Sequence, residues 1–141
     1  MKRQKRAPAE PVANEDRGEH QLALAGRSYL LRPSHQALKA VERQTGKTAL
    51  ELVRLGNTGK LSMEDLGVVA SELIRAGADP KDGFTRNVNA ERLEELIFEE
   101  GLPTVTSKLT LCLLDAATGG RTAAGELKAA QANPKELAGA A

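Results

Sequence analysis

The chain has 141 residues, with 20 basic and 19 acidic side chains and a formal net charge of +1. No overall field therefore directs it towards nucleic acid or an anionic membrane, and its length suits one domain. A single cysteine cannot form an internal disulfide, and the sequence shows neither a secretory signal nor a long apolar run. These features predict a cytoplasmic protein that does not enter the membrane. The aromatic fraction of 2% predicts an aliphatic core and argues against base stacking.

Both ends of the chain are poor in large apolar residues. Residues 1–13 carry four cations among Pro and Ala, a composition that predicts a disordered basic tail. Residues 119–141 are rich in Ala and are interrupted by Gly and Pro, which predicts frayed helix or a flexible tail. The sequence therefore predicts one folded domain over residues 14–118, between two tails.

The domain begins with an alternating pattern. Leu22 and Leu24 alternate with small or polar residues, a turn is indicated at Gly26, and the pattern resumes with Tyr29 and Leu31. This spacing predicts a short β-hairpin with Gly26 in its turn.

Helical periodicity follows the hairpin and is divided by residues that begin or end helices. The predicted N-caps are Ser34, Thr48, Ser62 and Asn89, and the predicted C-cap glycines are Gly46 and Gly77. The segment from 78 to 89 is predicted to be a loop. The last element, "TSKLTLCLLDAA", is apolar on nearly all sides and predicts the most buried helix, although a strand is also compatible with its composition. The predicted fold is mainly α with a short N-terminal β-hairpin, a small helical domain of about five helices.

Gly46, Lys47 and Thr48 match the last three positions of a phosphate-binding loop. That loop also requires a glycine five residues before Gly46, where this chain has Val41, and it should follow a buried strand rather than a helix. Gly46 is better explained as the end of one helix and Thr48 as the cap of the next. We therefore expect no nucleotide binding.

Other chemical sites are not indicated by the sequence either. His20 and His35 are far apart, and Cys112 lies in an apolar run, so no metal-ligand spacing and no exposed thiol are expected. The glutamates between 91 and 100 are typical of a solvated helix face. A helix-turn-helix reader of DNA is the remaining alternative, but its second helix would offer only Arg54 as a cation, balanced by Glu51. We expect no catalytic residue, cofactor or metal, and nucleic acid is not the expected partner.

The order of several short motifs resembles a known family. They are "RGE" at 17–19, Gly26-Arg27 in the hairpin turn, Tyr29 with Leu31-Arg32, Ala37-Leu38 with Val41-Glu42, Thr45-Gly46 with Leu50, and Gly59 with Leu61-Ser62 and Asp65-Leu66. Together they span residues 14–77 and resemble the phage tail assembly chaperones of the gene transfer agent type, a family also described as phage tail tube protein. The region after Gly77 does not map onto these motifs.

The resemblance implies a non-enzymatic tail assembly chaperone in the cytoplasm of a bacterial host. Its implied partners are the tape measure protein, the tail tube protein or both, and a homo-oligomer is also compatible. The candidate partner-binding residues form one helical stripe: Leu66, Val69, Leu73 and Ile74. The same spacing is typical of an internal core, which is the alternative explanation of this stripe. The alternative functions are a structural tail or virion subunit and a small DNA-binding regulator.

Overall fold

The computed structural model describes residues 19–128. Within this range, the chain forms a mainly helical domain with an N-terminal hairpin, which confirms the predicted fold class. The strands are β1 (His20–Leu24) and β2 (Arg27–Leu31). The helices are α1 (His35–Thr45), α2 (Ala49–Asn57), α3 (Met63–Gly77), α4 (Gly83–Arg86), α5 (Ala90–Glu100) and α6 (Leu102–Ala117). The short helix α4 lies in the segment that was predicted to be a loop.

The hairpin is antiparallel and pairs Leu22 with Tyr29 and Leu24 with Arg27. Its turn is formed by Ala25 and Gly26, which have φ angles of 52° and 77°. Two consecutive positive φ angles give a two-residue turn whose twist matches that of the strands. Because side chains alternate along a strand, Leu22, Leu24, Tyr29 and Leu31 share the side of the hairpin that packs into the core.

Three helices begin with a side-chain cap of the same geometry. Ser34, Thr48 and Ser62 each accept a hydrogen bond from the backbone N–H three residues ahead, at 3.0 to 3.1 Å. Each cap satisfies one of the amide groups that a helix start leaves without an internal partner. Asn89 caps α5 in the same way through the N–H of Arg92. Between α1 and α2, Gly46 has φ 72° and ψ 13°, and its N–H donates to the carbonyl of Glu42.

Helix α3 runs through the centre of the domain and is packed by α1, α5 and the hairpin. From α3, Leu66, Val69, Ala70, Leu73 and Ile74 are almost completely buried, together with Val41 of α1, Ile97 of α5 and Leu109 of α6. Helix α2 packs mainly against α6, where Gly56 lies so close to Thr110 that a larger side chain would collide with it. The core is therefore shared by the hairpin and by all helices except α4, and it is built almost entirely from aliphatic side chains.

The predicted end of α3 is one residue too early. Gly77 is the last residue of the helix, and the C-cap is Ala78, which has an extended backbone. A Cβ atom at position 77 would collide with the backbone carbonyl of Leu30 in β2. Glycine is needed here for the close approach of α3 to the hairpin and not for a left-handed cap.

Helix α6 is less buried than its composition predicted. Val105, Leu109, Cys112 and Leu113 are inside, but Leu111 and Leu114 face outwards, and α3 has more buried residues than α6. A helix that is packed on one side leaves its other side in solvent whatever residues it carries.

The segment 119–128 lies against the domain. An isolated antiparallel bridge joins Arg121 to Leu127, and the N–H of His35 donates to the carbonyl of Ala123 at 2.8 Å. This part of the predicted Ala-rich tail is therefore a loop and not a helix. Residues 1–13 and 129–141 lie outside the described residues, so the predicted boundaries of the domain stay predictions.

Candidate interaction surfaces

The stripe predicted to bind a partner lies in the core. Its four members, Leu66, Val69, Leu73 and Ile74, have at most 1% of their surface exposed. They pack beneath α1, α5 and the hairpin, in agreement with the alternative explanation of the stripe. The folded domain does not offer these side chains to another protein, so we sought the contact surface among residues that are exposed.

Seven large apolar residues of the described chain are exposed to solvent: Leu50, Met63, Phe84, Phe98, Leu102, Leu111 and Leu114. Scattered exposed apolar residues are normal, whereas neighbouring ones indicate a contact surface. Leu111 and Leu114 are three residues apart on α6 and so lie next to each other on its surface. Their exposures are 57% and 37%, and we call this pair the outer stripe of α6.

The outward side of α5 combines an aromatic residue with carboxylates. Phe98 is 67% exposed, and Glu91 and Glu95 lie seven and three residues before it, on the same side of the helix. We call Glu91, Glu95 and Phe98 the acidic face of α5. Glu95 accepts a hydrogen bond from Arg92 at 2.7 Å, but both side chains are more than 60% exposed, so this ion pair contributes little.

A groove of about 650 Å³ runs between α1 and α3 and carries the opposite charge. Arg32, Lys39 and Arg43 are three of its cations, and four small residues also line it: Ala37, Ala40, Ala76 and Ala124. Arg75 and Glu72 also line it but are engaged with each other at 2.8 Å. We call this feature the basic groove.

Lys47, the lysine of the apparent phosphate loop, is engaged in the structure. Its Nζ lies 2.9 Å from Oδ2 of Asp65 at the start of α3. The hydrogen bond and the charge of Asp65 raise the pKa of Lys47. Together with the left-handed Gly46, this contact joins the α1–α2 connection to α3 and serves a structural purpose.

Two further polar clusters join elements of the domain that are distant in sequence. Arg27 donates to Asp82 and to Thr85, both at 2.9 Å, and lies over the rings of Tyr29 and Phe84. Hydrogen bonds from the side chain and the backbone of Thr85 lower the pKa of Asp82, and the charge of Arg27 acts in the same direction. This cluster fixes α4 against the hairpin.

In the second cluster, Asp115 of α6 accepts hydrogen bonds from His20 at 3.0 Å and from Arg121 at 2.6 and 2.8 Å. Burial acts to raise the pKa of Asp115, but the hydrogen bonds from His20 and Arg121 outweigh burial and hold it below its ordinary value. Asp115 therefore joins β1 and the segment 119–128 to α6.

The chain shows no arrangement suited to metal or thiol chemistry in its described part. Residues 19–128 contain no group of three or more His, Cys, Asp or Glu side chains that could hold a metal ion. Burial raises the pKa of the Cys112 thiol to about 12, so the thiolate is not formed near neutral pH. Among these residues, no helix has the length and apolar character needed to cross a membrane.

The model of one protein family matches residues 17–104, more than half of the chain. The family is described as phage tail tube protein, GTA-gp10. The chain belongs to this family. Neither a curated protein nor a solved structure matches it.

The match places the GTA-gp10 family region on the hairpin, α1 to α5 and the first turn of α6. It therefore extends beyond Gly77, where the motifs recognised in the sequence stop. The acidic face of α5 and most of the basic groove lie inside the matched region. The outer stripe of α6 lies beyond it.

The sequence patterns of α5 and α6 do not reveal these surfaces, because both patterns also fit a simpler interpretation. The apolar residues of α6 predict burial on all sides, and the glutamates of α5 are typical of a solvated face. The signal that could have found the acidic face is Phe98, because an aromatic residue among glutamates at helical spacing breaks the pattern of a solvated face.

Proposed function

We propose that this member of the GTA-gp10 family is a non-enzymatic tail assembly chaperone. In this role it binds the tape measure protein or the tail tube protein while the tail is being built. Membership of the family supports the general part of this proposal, which is a role connected with the phage tail. The chaperone role is supported by the exposed outer stripe of α6.

The outer stripe suits contact with an apolar helix of a partner. Its two leucines are adjacent on α6, whose opposite side is anchored in the core by Leu109 and Leu113. A rigid helix that presents neighbouring leucines can cover an apolar stripe of a partner helix. Burying an exposed leucine completely contributes about 1.5–3 kcal/mol, so even two partly exposed leucines give a substantial contact. A tape measure protein is a long, largely helical chain that would expose such stripes before the tube encloses it.

The ion pair of Lys47 and the burial of Cys112 support a role without catalysis. Lys47 is paired with Asp65, and the Cys112 thiol is buried and protonated. Neither group is available as a phosphate ligand or as a nucleophile in the folded domain.

The test is co-expression with each candidate partner, followed by measurement of the soluble partner. The parent chain should raise the soluble yield of the tape measure protein or the tail tube protein. Leu111→Glu with Leu114→Glu should abolish this effect, because a charge forced into an apolar contact has no partner there. Met63→Glu is the matched control: Met63 is an apolar residue, 45% exposed, in the first turn of α3, where an acidic side chain is tolerated. Only variants whose circular dichroism and melting equal those of the parent enter the comparison.

A structural tail subunit is the second candidate, and the description of the family as tail tube protein favours it. The two roles differ in the finished particle. A chaperone should be absent from purified particles, whereas a structural subunit should be present in a fixed ratio to other tail proteins. Detection of the chain in particles, without any rescue of a partner, would replace the chaperone role by the structural one.

A further inference from the structure

We propose that this protein binds a second copy of itself head to tail, with the acidic face of α5 in one copy seated in the basic groove of the next. Although the net charge is only +1, the domain has two surfaces of opposite charge. One carries Glu91 and Glu95 around Phe98, and the other carries Arg32, Lys39 and Arg43. Each surface therefore has an oppositely charged counterpart on another copy of the same chain.

The charged residues of the two surfaces have the same spacing. Lys39 and Arg43 are four residues apart on α1, and Glu91 and Glu95 are four residues apart on α5. Such pairs have Cβ atoms about 5–6 Å apart on one side of a helix. All four side chains are exposed in the described structure. Two helices lying side by side can therefore join both cations to both carboxylates at once.

The position of Phe98 selects the antiparallel orientation. If Arg43 meets Glu91 and Lys39 meets Glu95, Phe98 lies one turn further along, towards the start of α1. At that end, the groove is lined by Ser34, Gln36 and Ala124, since the N–H of His35 at the start of α1 donates to the carbonyl of Ala123. An exposed phenyl ring would find space and apolar contact there. The parallel orientation would place Phe98 beyond Arg43, outside the groove.

The ion pairs that these side chains form within one copy do not prevent the proposed contact between copies. Arg92 and Glu95 form an ion pair within α5, but its exposure makes it weak, and the exchange costs little. Arg75 and Glu72 line the groove and keep each other. Arg32, Lys39 and Arg43 then give the groove an excess of positive charge that matches the carboxylates.

The proposed contact joins two different surfaces. A contact of this kind leaves one free surface at each end of a dimer, so further copies can add until a ring closes or a filament extends. The outer stripe of α6 belongs to neither surface, so this proposal does not depend on the chaperone role. A failure of one can be distinguished from a failure of the other.

The experiment uses sedimentation velocity of the full chain over a range of concentrations and salt. The parent should associate as its concentration rises, and salt should weaken the association. One variant reverses the groove (Lys39→Glu with Arg43→Glu), and a second reverses the acidic face (Glu91→Lys with Glu95→Lys). Each should be monomeric alone, because one of its two surfaces repels the partner surface.

The mixture of the two variants gives the decisive measurement. The intact acidic face of the first can bind the intact groove of the second, and the reversed groove of the first is again opposite in charge to the reversed face of the second. The mixture should therefore associate, with the two variants in equal numbers, although neither variant associates alone. Phe98→Ala in the parent should raise the dissociation constant at least tenfold. Phe84→Ala is the matched control because Phe84 is also exposed, at 72%, and lies on α4; it should leave association unchanged.

Three results would overturn the proposal. A parent that stays monomeric at all concentrations would exclude the contact. Two folded variants that fail to pair in the mixture would show that these surfaces do not meet. A monomeric parent that binds DNA with a steep salt dependence, lost on reversing the groove, would assign the basic groove to nucleic acid instead.

Discussion

Substitution of Gly46 tests how α1 and α2 are joined, because at this position backbone strain can be measured without a steric collision. Its φ of 72° lies in the left-handed region, and a Cβ atom added there would meet nothing within 4 Å. Any loss of stability on substitution therefore comes from backbone strain and not from a collision. Replacement by an ordinary residue in this region costs about 1–2 kcal/mol, and a β-branched residue is the least tolerated. We expect Gly46→Val to lower the free energy of unfolding by at least about 1 kcal/mol.

Two other glycines provide matched controls. Gly83 is not among the glycines with positive φ and has open space around its Cβ position, so Gly83→Ala should be neutral or stabilising by up to about 1 kcal/mol. Gly67 also has no positive φ, but a Cβ atom would lie 2.8 Å from the carbonyl oxygen of Ala90. Gly67→Ala should therefore cost about 1–3 kcal/mol through overpacking between α3 and α5.

Urea unfolding followed by circular dichroism measures all three variants. The midpoint should fall for Gly46→Val and Gly67→Ala with an unchanged dependence on urea, and it should not fall for Gly83→Ala. An unchanged midpoint for Gly46→Val would refute the left-handed connection between α1 and α2. A loss for Gly83→Ala as large as that for Gly46→Val would show that open space does not predict tolerance in this chain.

Three further predictions concern single side chains. Titration with ATP or GTP should give no binding heat, and Lys47→Ala should not change that result; micromolar binding abolished by this substitution would restore the phosphate loop. Asp115→Asn should be less stable than the parent at neutral pH. Since the folded pKa of Asp115 is depressed, its contribution is present above the ordinary value of 3.8 and is lost as pH falls through the folded pKa, so the two stability curves should converge in acid; parallel curves would contradict this. Cys112 should resist alkylation at pH 8 until urea unfolds the chain, and rapid labelling of the folded protein would show that the thiol is accessible.

The sequence located helix starts well because their causes are local. Ser34, Thr48 and Ser62 precede apolar runs, and each needs only the amide three residues ahead to act as a cap. Gly77 shows where local reasoning stops. Its neighbours in sequence suggest a helix end, but the residue that requires glycine is Leu30, which is distant in sequence and is brought close only by the packing of α3 on the hairpin.

The exposed surfaces were harder to predict for a related reason. The periodicity of Leu66, Val69, Leu73 and Ile74 identifies one side of α3, but it does not state whether that side meets the core or a partner. Only the arrangement of α1, α5 and the hairpin around α3 assigns these residues to the interior. Likewise, the composition of α6 is apolar throughout, and the sequence does not state which of its sides is left without a neighbour.

The nearly balanced composition of the chain also affects how the two proposals fit together. A low net charge argued against a nucleic-acid partner, but it does not exclude strong local fields when acidic and basic residues are segregated. Here α5 collects carboxylates while α1 and the end of β2 collect cations, so each copy carries both halves of a contact. The outer stripe of α6 is apolar and separate from both halves. Self-association should therefore weaken with salt, whereas binding of a tail partner through α6 should persist in salt, and this difference allows the two contacts to be measured in one preparation.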